Sequence, residues 1–181
     1  MTLVKSWISE TGLPCAIVKH SEMAHLCGYV GVGQQHSWYG KFYLSCTLPE
    51  AKPRGELPED FEGEFPIAKL SLYHKVVASK LVCGEEYCSH TPESIVSVHG
   101  GITYSDWGFD PIPRDGEWWF GFDCAHAGDR VPGMDAVAAL VGGGFDRSDD
   151  VYRDEAYVAA ECENMAKQLI EVRVWQKRLE V

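Results

Sequence analysis

Short apolar runs alternate with turn-forming residues along the first two thirds of the chain. Valine, isoleucine and aromatic residues are frequent in these runs, and glycine or proline bounds most of them, which is the pattern of β-strands. The pattern predicts strands at residues 15–19, 26–32, 94–98 and 118–123, with extended chain again at 102–104. Residues 106–117 contain two prolines and two glycines, so we expect a loop there.

A helical pattern dominates the last part of the chain, from about Asp149 to Trp175. Its apolar residues recur at spacings of three, four and seven, and therefore fall on one helix face. They are Val151, Val158, Cys162, Met165, Leu169 and Val172. Ser148, Asp149 and Asp150 are predicted to cap the amino end. Glu155 lies on the apolar face, so we expect its carboxylate to pair, to reach solvent or to face a functional cavity.

These elements predict an α+β fold in which a mainly antiparallel sheet packs against a long C-terminal helix. The length of 181 residues fits one globular domain over residues 1–181. Residues 49–66 hold four prolines and two glycines and are predicted to form an exposed loop. The apolar spacing of residues 67–82 fits a helix and a strand equally well.

The composition of the chain mainly excludes certain classes of binding partner. Sixteen Lys and Arg against 27 Asp and Glu give a formal net charge of −11, which argues against a broad surface for nucleic acid or anionic membrane. A small anionic ligand in a local pocket and a divalent cation both stay compatible with this charge. The amino end lacks the charged-then-apolar order of a signal peptide, and seven cysteines without a CxxC pair indicate reduced thiols. We therefore expect a cytoplasmic protein.

Two segments combine histidine, aspartate and glycine at the ends of predicted strands. His99 precedes two glycines, and Asp123, His126 and Asp129 lie within seven residues. If the two strands are neighbours, these four side chains converge, and two histidines with two carboxylates suit Zn²⁺, Mn²⁺ or Fe²⁺. All four are therefore candidate catalytic residues and candidate metal ligands, with metal-bound water as the nucleophile.

The same residues also allow other interpretations. Asp123 can hydrogen-bond its own turn, His126 can cap a strand and Asp129 can pair with Arg130, all without any function. A ligand site that needs no metal is a further alternative.

Cysteine suggests two more kinds of site. Cys124 can act as a nucleophile with His126 or His99 as its base, provided that the strand persists beyond residue 124. Gly128 argues against that persistence. A zinc site is disfavoured by an unusual C-x4-C spacing; its ligands would be Cys83, Cys88, His90 and His74.

Six further residues are candidates for binding a ligand, namely His36, Tyr39, Lys41, Trp107, Trp119 and Glu155. The first three follow a glycine-rich segment whose backbone N–H groups can receive phosphate, although a hairpin turn explains them better. The two tryptophans can stack on a nucleobase, and the glutamate can reach the site from the helix. Trp118 and Trp119 are adjacent on a strand and point to opposite faces, so we expect at least one in the core.

Four strings carry a resemblance to known proteins: AHLCGYV, VHGGITY, WFGFDCAHAGD and YRDEAYV, which begin at residues 24, 98, 119 and 152. Together they resemble a family of small proteins carried by bacterial viruses and prophages, over most of residues 24–170. No activity is established for that family, so the resemblance implies no catalytic residues. It implies a viral context, in which a host defence signal such as a cyclic nucleotide is one target class.

The leading hypothesis is a metal-assisted, phosphodiesterase-like hydrolase that acts on a small phosphorylated or nucleotide ligand. Two other classes of protein fit the same sequence. One sequesters a nucleotide without chemistry, and the other inhibits a host protein through an acidic face. The first two hypotheses require that His99 and residues 123–129 meet in space.

Overall fold

One antiparallel sheet forms the centre of the molecule. The computed structural model describes residues 1–45, 91–141 and 148–179. Within them the strands are β1 (Thr2–Ile8), β2 (Pro14–Lys19), β3 (Leu26–Val32), β4 (Tyr104–Asp106) and β5 (Trp118–Asp123). Their order in the sheet is β1-β2-β3-β5-β4, and each neighbouring pair is antiparallel.

Three helices accompany these strands in the same part of the chain. They are α1 (Pro92–Ile95), α2 (Pro132–Val141) and α3 (Glu155–Leu179). The long C-terminal helix α3 packs on one face of the sheet, against β2 and β3. The predicted α+β fold, with a mainly antiparallel sheet backed by a C-terminal helix, is confirmed.

The sheet has two buried faces, because successive side chains of a strand point to opposite sides. Facing α3, the strand residues Ile17, Val30, Phe120 and Phe122 pack with the helix residues Val158, Cys162, Met165 and Leu169. On the other face, Ala16, Val18, Tyr29 and Trp119 pack with Ile112, which comes from the predicted loop 106–117. Trp118 lies in the first cluster and Trp119 in the second, so both are core residues.

Three predicted strands agree with the structure and one does not. Residues 15–19, 26–32 and 118–123 all lie in strands. The prediction of a strand at 94–98 is wrong, because α1 occupies residues 92–95. There Thr91 and Ser94 form a capping box and Pro92 occupies the first turn, which together favour a helix start.

Helix α3 begins later than the apolar pattern predicts. Asp154 caps it, since its Oδ1 accepts a 2.9 Å hydrogen bond from the Tyr157 amide. Residues 148–150 therefore do not cap α3. Val151 precedes the helix and is 52% exposed, whereas the rest of the predicted stripe, from Val158 to Val172, is buried.

Several predictions fall outside the described residues. These include the loop at 49–66, the undecided segment 67–82 and the zinc ligands His74, Cys83, Cys88 and His90. They stay predictions, as does a single domain over the whole chain. No helix in the described ranges is long and apolar enough to cross a membrane.

Candidate functional site

The segments around His99 and Asp129 meet at one end of the sheet, beside the first turns of α3. His99 Nε2 lies 2.7 Å from Asp129 Oδ2. The same carboxylate oxygen accepts a 3.0 Å hydrogen bond from the His126 amide. His126 Nε2 lies 3.7 Å from Asp123 Oδ1, and the two imidazole centroids are 5.7 Å apart. The structure therefore brings together all four residues that the sequence analysis proposed as a cluster.

Glycine allows the two segments to approach this closely. Gly100 has a φ of +65° and Gly101 a φ of +87°, which is the left-handed region that favours glycine. A Cβ atom at Gly100 would overlap the imidazole of His126. The backbone of residue 100 can therefore lie against that ring only because residue 100 has no side chain.

Asp129 is the buried centre of the cluster, with 1% of its surface exposed. Arg153 Nε donates to Asp129 Oδ1 over 2.9 Å. Burial alone would raise the pKa of Asp129, but hydrogen bonds from Arg153, His99 and the His126 amide outweigh it and lower the pKa below its usual value. Asp129 is therefore an ionised carboxylate at neutral pH. Arg130, the partner considered from sequence, pairs with Asp135 at 3.1 Å.

Both ring nitrogens of His99 contact protein groups. Because Asp129 is ionised and can only accept, His99 Nε2 carries the proton that they share. In the neutral form of this imidazole Nδ1 is an acceptor, and the hydroxyl of Tyr157, 3.0 Å away, donates to it. The His99 amide donates to Glu161 Oε2 over 2.8 Å, which fixes the backbone on the helix. The result is a hydrogen-bonded chain from Asp129 through His99 to Tyr157.

Sequence reasoning missed three of the residues that hold this chain in place. Tyr157 and Glu161 lie four residues apart on α3 and therefore share one side of the helix. Arg153 lies just before the helix, next to its cap residue Asp154. The Arg153 guanidinium also stacks over the Tyr157 ring, 4.8 Å from its centroid. This polar spacing was present in the sequence as R-x3-Y-x3-E. The apolar residues of the same helix formed the clearer pattern, so its polar residues were not considered as parts of a site.

The spacing of the four clustered side chains bears on the predicted metal. The described part of the chain holds no group of three or more His, Cys, Asp or Glu side chains arranged to bind a metal ion. His99 Nε2 and Asp129 Oδ2 are 2.7 Å apart, which is the distance of a hydrogen bond and not of two atoms that bind the same metal ion. Asp123 Oδ1 and His126 Nε2 are 3.7 Å apart, close to the ~3.4 Å between two ligand atoms of tetrahedral Zn²⁺. His126 Nε2 is enclosed and makes no hydrogen bond to the described residues.

A cleft opens on the sheet face opposite α3, next to Asp123. Its volume is about 360 Å³, near the lower limit of about 300 Å³ for small-molecule sites. Its polar lining includes His20, His25, Thr103 and Asp123, and its aromatic lining includes Tyr29 and Tyr104. Thr103 Oγ1 donates to Asp123 Oδ2 over 3.0 Å. Asp123 thus belongs both to the cleft and to the histidine–aspartate cluster.

His25 gives this cleft an uncharged polar group. Its side chain is 8% exposed and stacks on His20 with a centroid distance of 5.0 Å. Burial, and then the neighbouring His20, lower the pKa of His25, while Asp123 and Asp129 act in the opposite direction. Its Nδ1 atom makes no hydrogen bond within the described ranges. A neutral imidazole suits recognition of an uncharged ring better than of phosphate.

The predicted phosphate-binding turn lies elsewhere and has a structural role. His36 is buried, its Nε2 lies 2.8 Å from the Leu169 carbonyl oxygen, and its Nδ1 accepts from the Trp38 amide. The Tyr39 hydroxyl donates to the Gly116 carbonyl over 2.9 Å. Lys41 is exposed. None of the residues predicted in this turn lines the cleft.

The remaining predicted ligand contacts divide between core and surface. Trp119 is 3% exposed and its Nε1 donates to the Pro113 carbonyl, so it cannot stack on a ligand. Trp107 is 45% exposed and stays a candidate. Glu155 pairs with Lys5 at 3.6 Å on the surface, and therefore does not reach into the site.

Cys124 does not fit the role of a nucleophile. Only 2% of its surface is exposed. Burial, followed by the negative charge of Asp129, raises the pKa of its thiol to about 12. A thiol with this pKa is protonated at neutral pH and reacts slowly.

Fold and site together define an α+β domain with an aspartate–histidine–tyrosine chain at one end of its sheet and a small cleft beside it. Comparison with models of protein families, with curated proteins and with solved structures finds no match to this chain.

Proposed function

We propose that the chain is a hydrolase of a small phosphorylated or nucleotide ligand, which binds in the cleft beside Asp123. The observation that carries this proposal is the convergence of His99, Asp123, His126 and Asp129. An ionised carboxylate with 1% exposure holds one imidazole in a defined tautomer, which is the arrangement of a general base and the group that orients it. Such pairs accept a proton from an attacking oxygen and return it to the leaving group.

The cleft supports a ligand with an aromatic ring. Tyr29 and Tyr104 offer apolar ring surfaces, and His25 and Thr103 offer polar atoms at the rim. Nucleobases combine a flat apolar face with hydrogen-bonding edges, which matches this lining. Since Asp123 joins the cleft to the cluster, a ligand whose base occupies the cleft places its next groups towards His126.

In a second form of this proposal the hydrolase uses a divalent cation. The 3.7 Å spacing of Asp123 Oδ1 and His126 Nε2 favours this form. Zn²⁺, Mn²⁺ or Fe²⁺ held by these two atoms would polarise a phosphoryl oxygen. His99 and Asp129 would then act on protons instead of serving as ligands. The viral resemblance adds a host defence signal, such as a cyclic nucleotide, as a substrate class.

Hydrolysis of a chromogenic phosphodiester tests the proposal. Bis(4-nitrophenyl) phosphate and 3′,5′-cyclic nucleotides are incubated with untagged protein, with added Zn²⁺, Mn²⁺ or Fe²⁺ and separately with chelator. We expect Asp123→Asn to lower the rate by about 10²-fold, the usual range for loss of a positioned acid–base or metal-binding group. Asp135→Asn is the matched control, because Asp135 is an exposed carboxylate paired with Arg130.

The outcomes separate the competing functions. Turnover that needs metal and fails in Asp123→Asn supports the metal-assisted form, and turnover in chelator supports the metal-free form. Stoichiometric capture of a cyclic nucleotide, recovered intact after denaturation, would replace the hydrolase by a sequestering protein. Absence of both turnover and capture would reject the nucleotide site and leave inhibition of a host protein.

A further inference from the structure

We infer that Tyr157 is a catalytic nucleophile, activated by His99 and Asp129 through the hydrogen-bonded chain that joins the three side chains. The substrate class rests on the proposed function, whereas the hydrogen bond between the Tyr157 hydroxyl and His99 Nδ1 is observed in the structure. Tyrosine is one of the side chains that form covalent intermediates when a neighbouring base removes the proton. The role requires a base within hydrogen-bond reach and a third group that orients the base.

The geometry meets both requirements. The Tyr157 hydroxyl lies 3.0 Å from His99 Nδ1, and His99 Nε2 lies 2.7 Å from Asp129 Oδ2. The His99 and Tyr157 rings meet edge to face at 89°. Asp129 is fixed in turn by Arg153 Nε at 2.9 Å and by the His126 amide at 3.0 Å.

The surroundings keep the proton on Tyr157 until a base removes it. Burial, and then the nearby carboxylate of Glu161, raise the pKa of the Tyr157 hydroxyl above its ordinary value. Arg153 acts in the opposite direction, and its guanidinium lies over the ring, 4.8 Å from the centroid. The same guanidinium is placed to attract the phosphate of a ligand that approaches the hydroxyl.

Side chains of this protein supply the nucleophile for the covalent step and carry its proton. The Tyr157 oxygen attacks phosphorus, its proton passes to His99 Nδ1, and the bond from phosphorus to the leaving oxygen breaks. The imidazolium, stabilised by Asp129, then returns the proton to the leaving alkoxide. Water then attacks the phosphorus of the tyrosine-linked phosphate ester and gives its proton to His99 Nδ1. The bond from phosphorus to the Tyr157 oxygen breaks, and the imidazolium returns the proton to that oxygen, which restores the hydroxyl. No oxidant, reductant or co-substrate besides water is needed.

Labelling with benzenesulfonyl fluoride tests the inference without any knowledge of the substrate. The tyrosine oxygen forms a bond to sulfur, fluoride leaves and the phenolic proton passes to the base. Tyr152 is an internal control, because it lies five residues away and is 40% exposed. Peptide mass mapping of the native protein over time gives both labelling rates from one sample.

We expect Tyr157 to be labelled about 10²-fold faster than Tyr152, the usual effect of a positioned general base. His99→Gln should slow the labelling of Tyr157 to the rate of Tyr152 without changing that of Tyr152. Because Tyr152 is 40% exposed and would react similarly in an unfolded chain, the circular dichroism spectrum and urea midpoint of the variant must also show that it is folded. Tyr157→Phe should remove the fast label. Equal rates for the two tyrosines in the wild-type chain overturn the inference, with no variant needed.

A second measurement separates this inference from the proposed function. If bis(4-nitrophenyl) phosphate is hydrolysed and Tyr157→Phe keeps the wild-type rate, the nucleophile is wrong and the hydrolase stands. If Tyr157 is labelled rapidly through His99 and no phosphodiester is hydrolysed, the activated tyrosine stands and the substrate class is wrong.

Discussion

Gly100 lies against the ring of His126 with a φ of +65°, and this contact holds the two polar segments together. Asp123, His126 and Asp129 were predictable, because they lie at or just after the end of β5, which the sequence marks clearly. His99 was selected as the end of a predicted strand that is absent from the structure, and its place in the cluster rests on the two glycines that follow it. Tyr157 and Arg153 were not predicted, because a helix pattern identifies a buried face and says little about which polar residues meet a distant loop. Contacts between residues far apart in sequence decide which of these candidates share a site.

Replacing Gly100 by alanine should destabilise the fold by more than the cost of placing alanine in the left-handed region. Alanine in the left-handed region costs about 1–2 kcal/mol, and displacing His126 should add about 1–3 kcal/mol of overpacking. Gly12→Ala is the matched control, since Gly12 has a φ of +86° and no atom within 4 Å of the added Cβ. Urea denaturation of both variants gives the difference. Equal losses of stability would mean that the His126 contact is relaxed in solution.

At the scale of elements, capping residues determine where the helices begin, which the apolar pattern alone did not predict. The strand predicted at 94–98 is partly a helix because Thr91 and Ser94 cap it reciprocally. Strand β1 was not singled out, since most of its residues are exposed and its pattern carries little apolar signal. The cleft was unpredictable for a different reason, because its lining comes from the β2–β3 turn, the approach to β4 and the end of β5.

The start of α3 can be tested through its cap. Asp154→Ala removes the side-chain acceptor of the Tyr157 amide and should lower the free energy of unfolding by about 1 kcal/mol. Asp149→Ala, at the cap position predicted from the apolar pattern, should change it by less than about 0.5 kcal/mol. Thermal or urea denaturation compares the two variants. A larger loss for Asp149→Ala would place the helix start where the sequence pattern put it.

At the scale of the whole molecule, the cysteines report how completely the two faces of the sheet are covered. Cys15, Cys27, Cys124 and Cys162 are all free and buried. Burial raises the pKa of Cys15 to about 12 and that of Cys27 to about 11, and it also raises that of Cys162. The expectation of reduced, packed thiols therefore holds for these four.

Thiol titration should count the covered cysteines. In native protein we expect at most three of the seven to react promptly with Ellman's reagent, namely Cys46, Cys83 and Cys88, which lie outside the described residues. All seven should react in denaturant, because unfolding removes the burial that protects the other four. Prompt reaction of more than three thiols in native protein would show that one face of the sheet is open.

The order of the strands also has a consequence for biosynthesis. Strands β1, β2 and β3 follow one another along the chain, but the other neighbour of β3 is β5, which is translated much later. Until β5 has been synthesised, the edge of β3 that it pairs with has no partner in this sheet, and an unpaired strand edge is a template for association with other chains. We therefore expect a pause in synthesis before residue 123 to increase aggregation of the nascent chain.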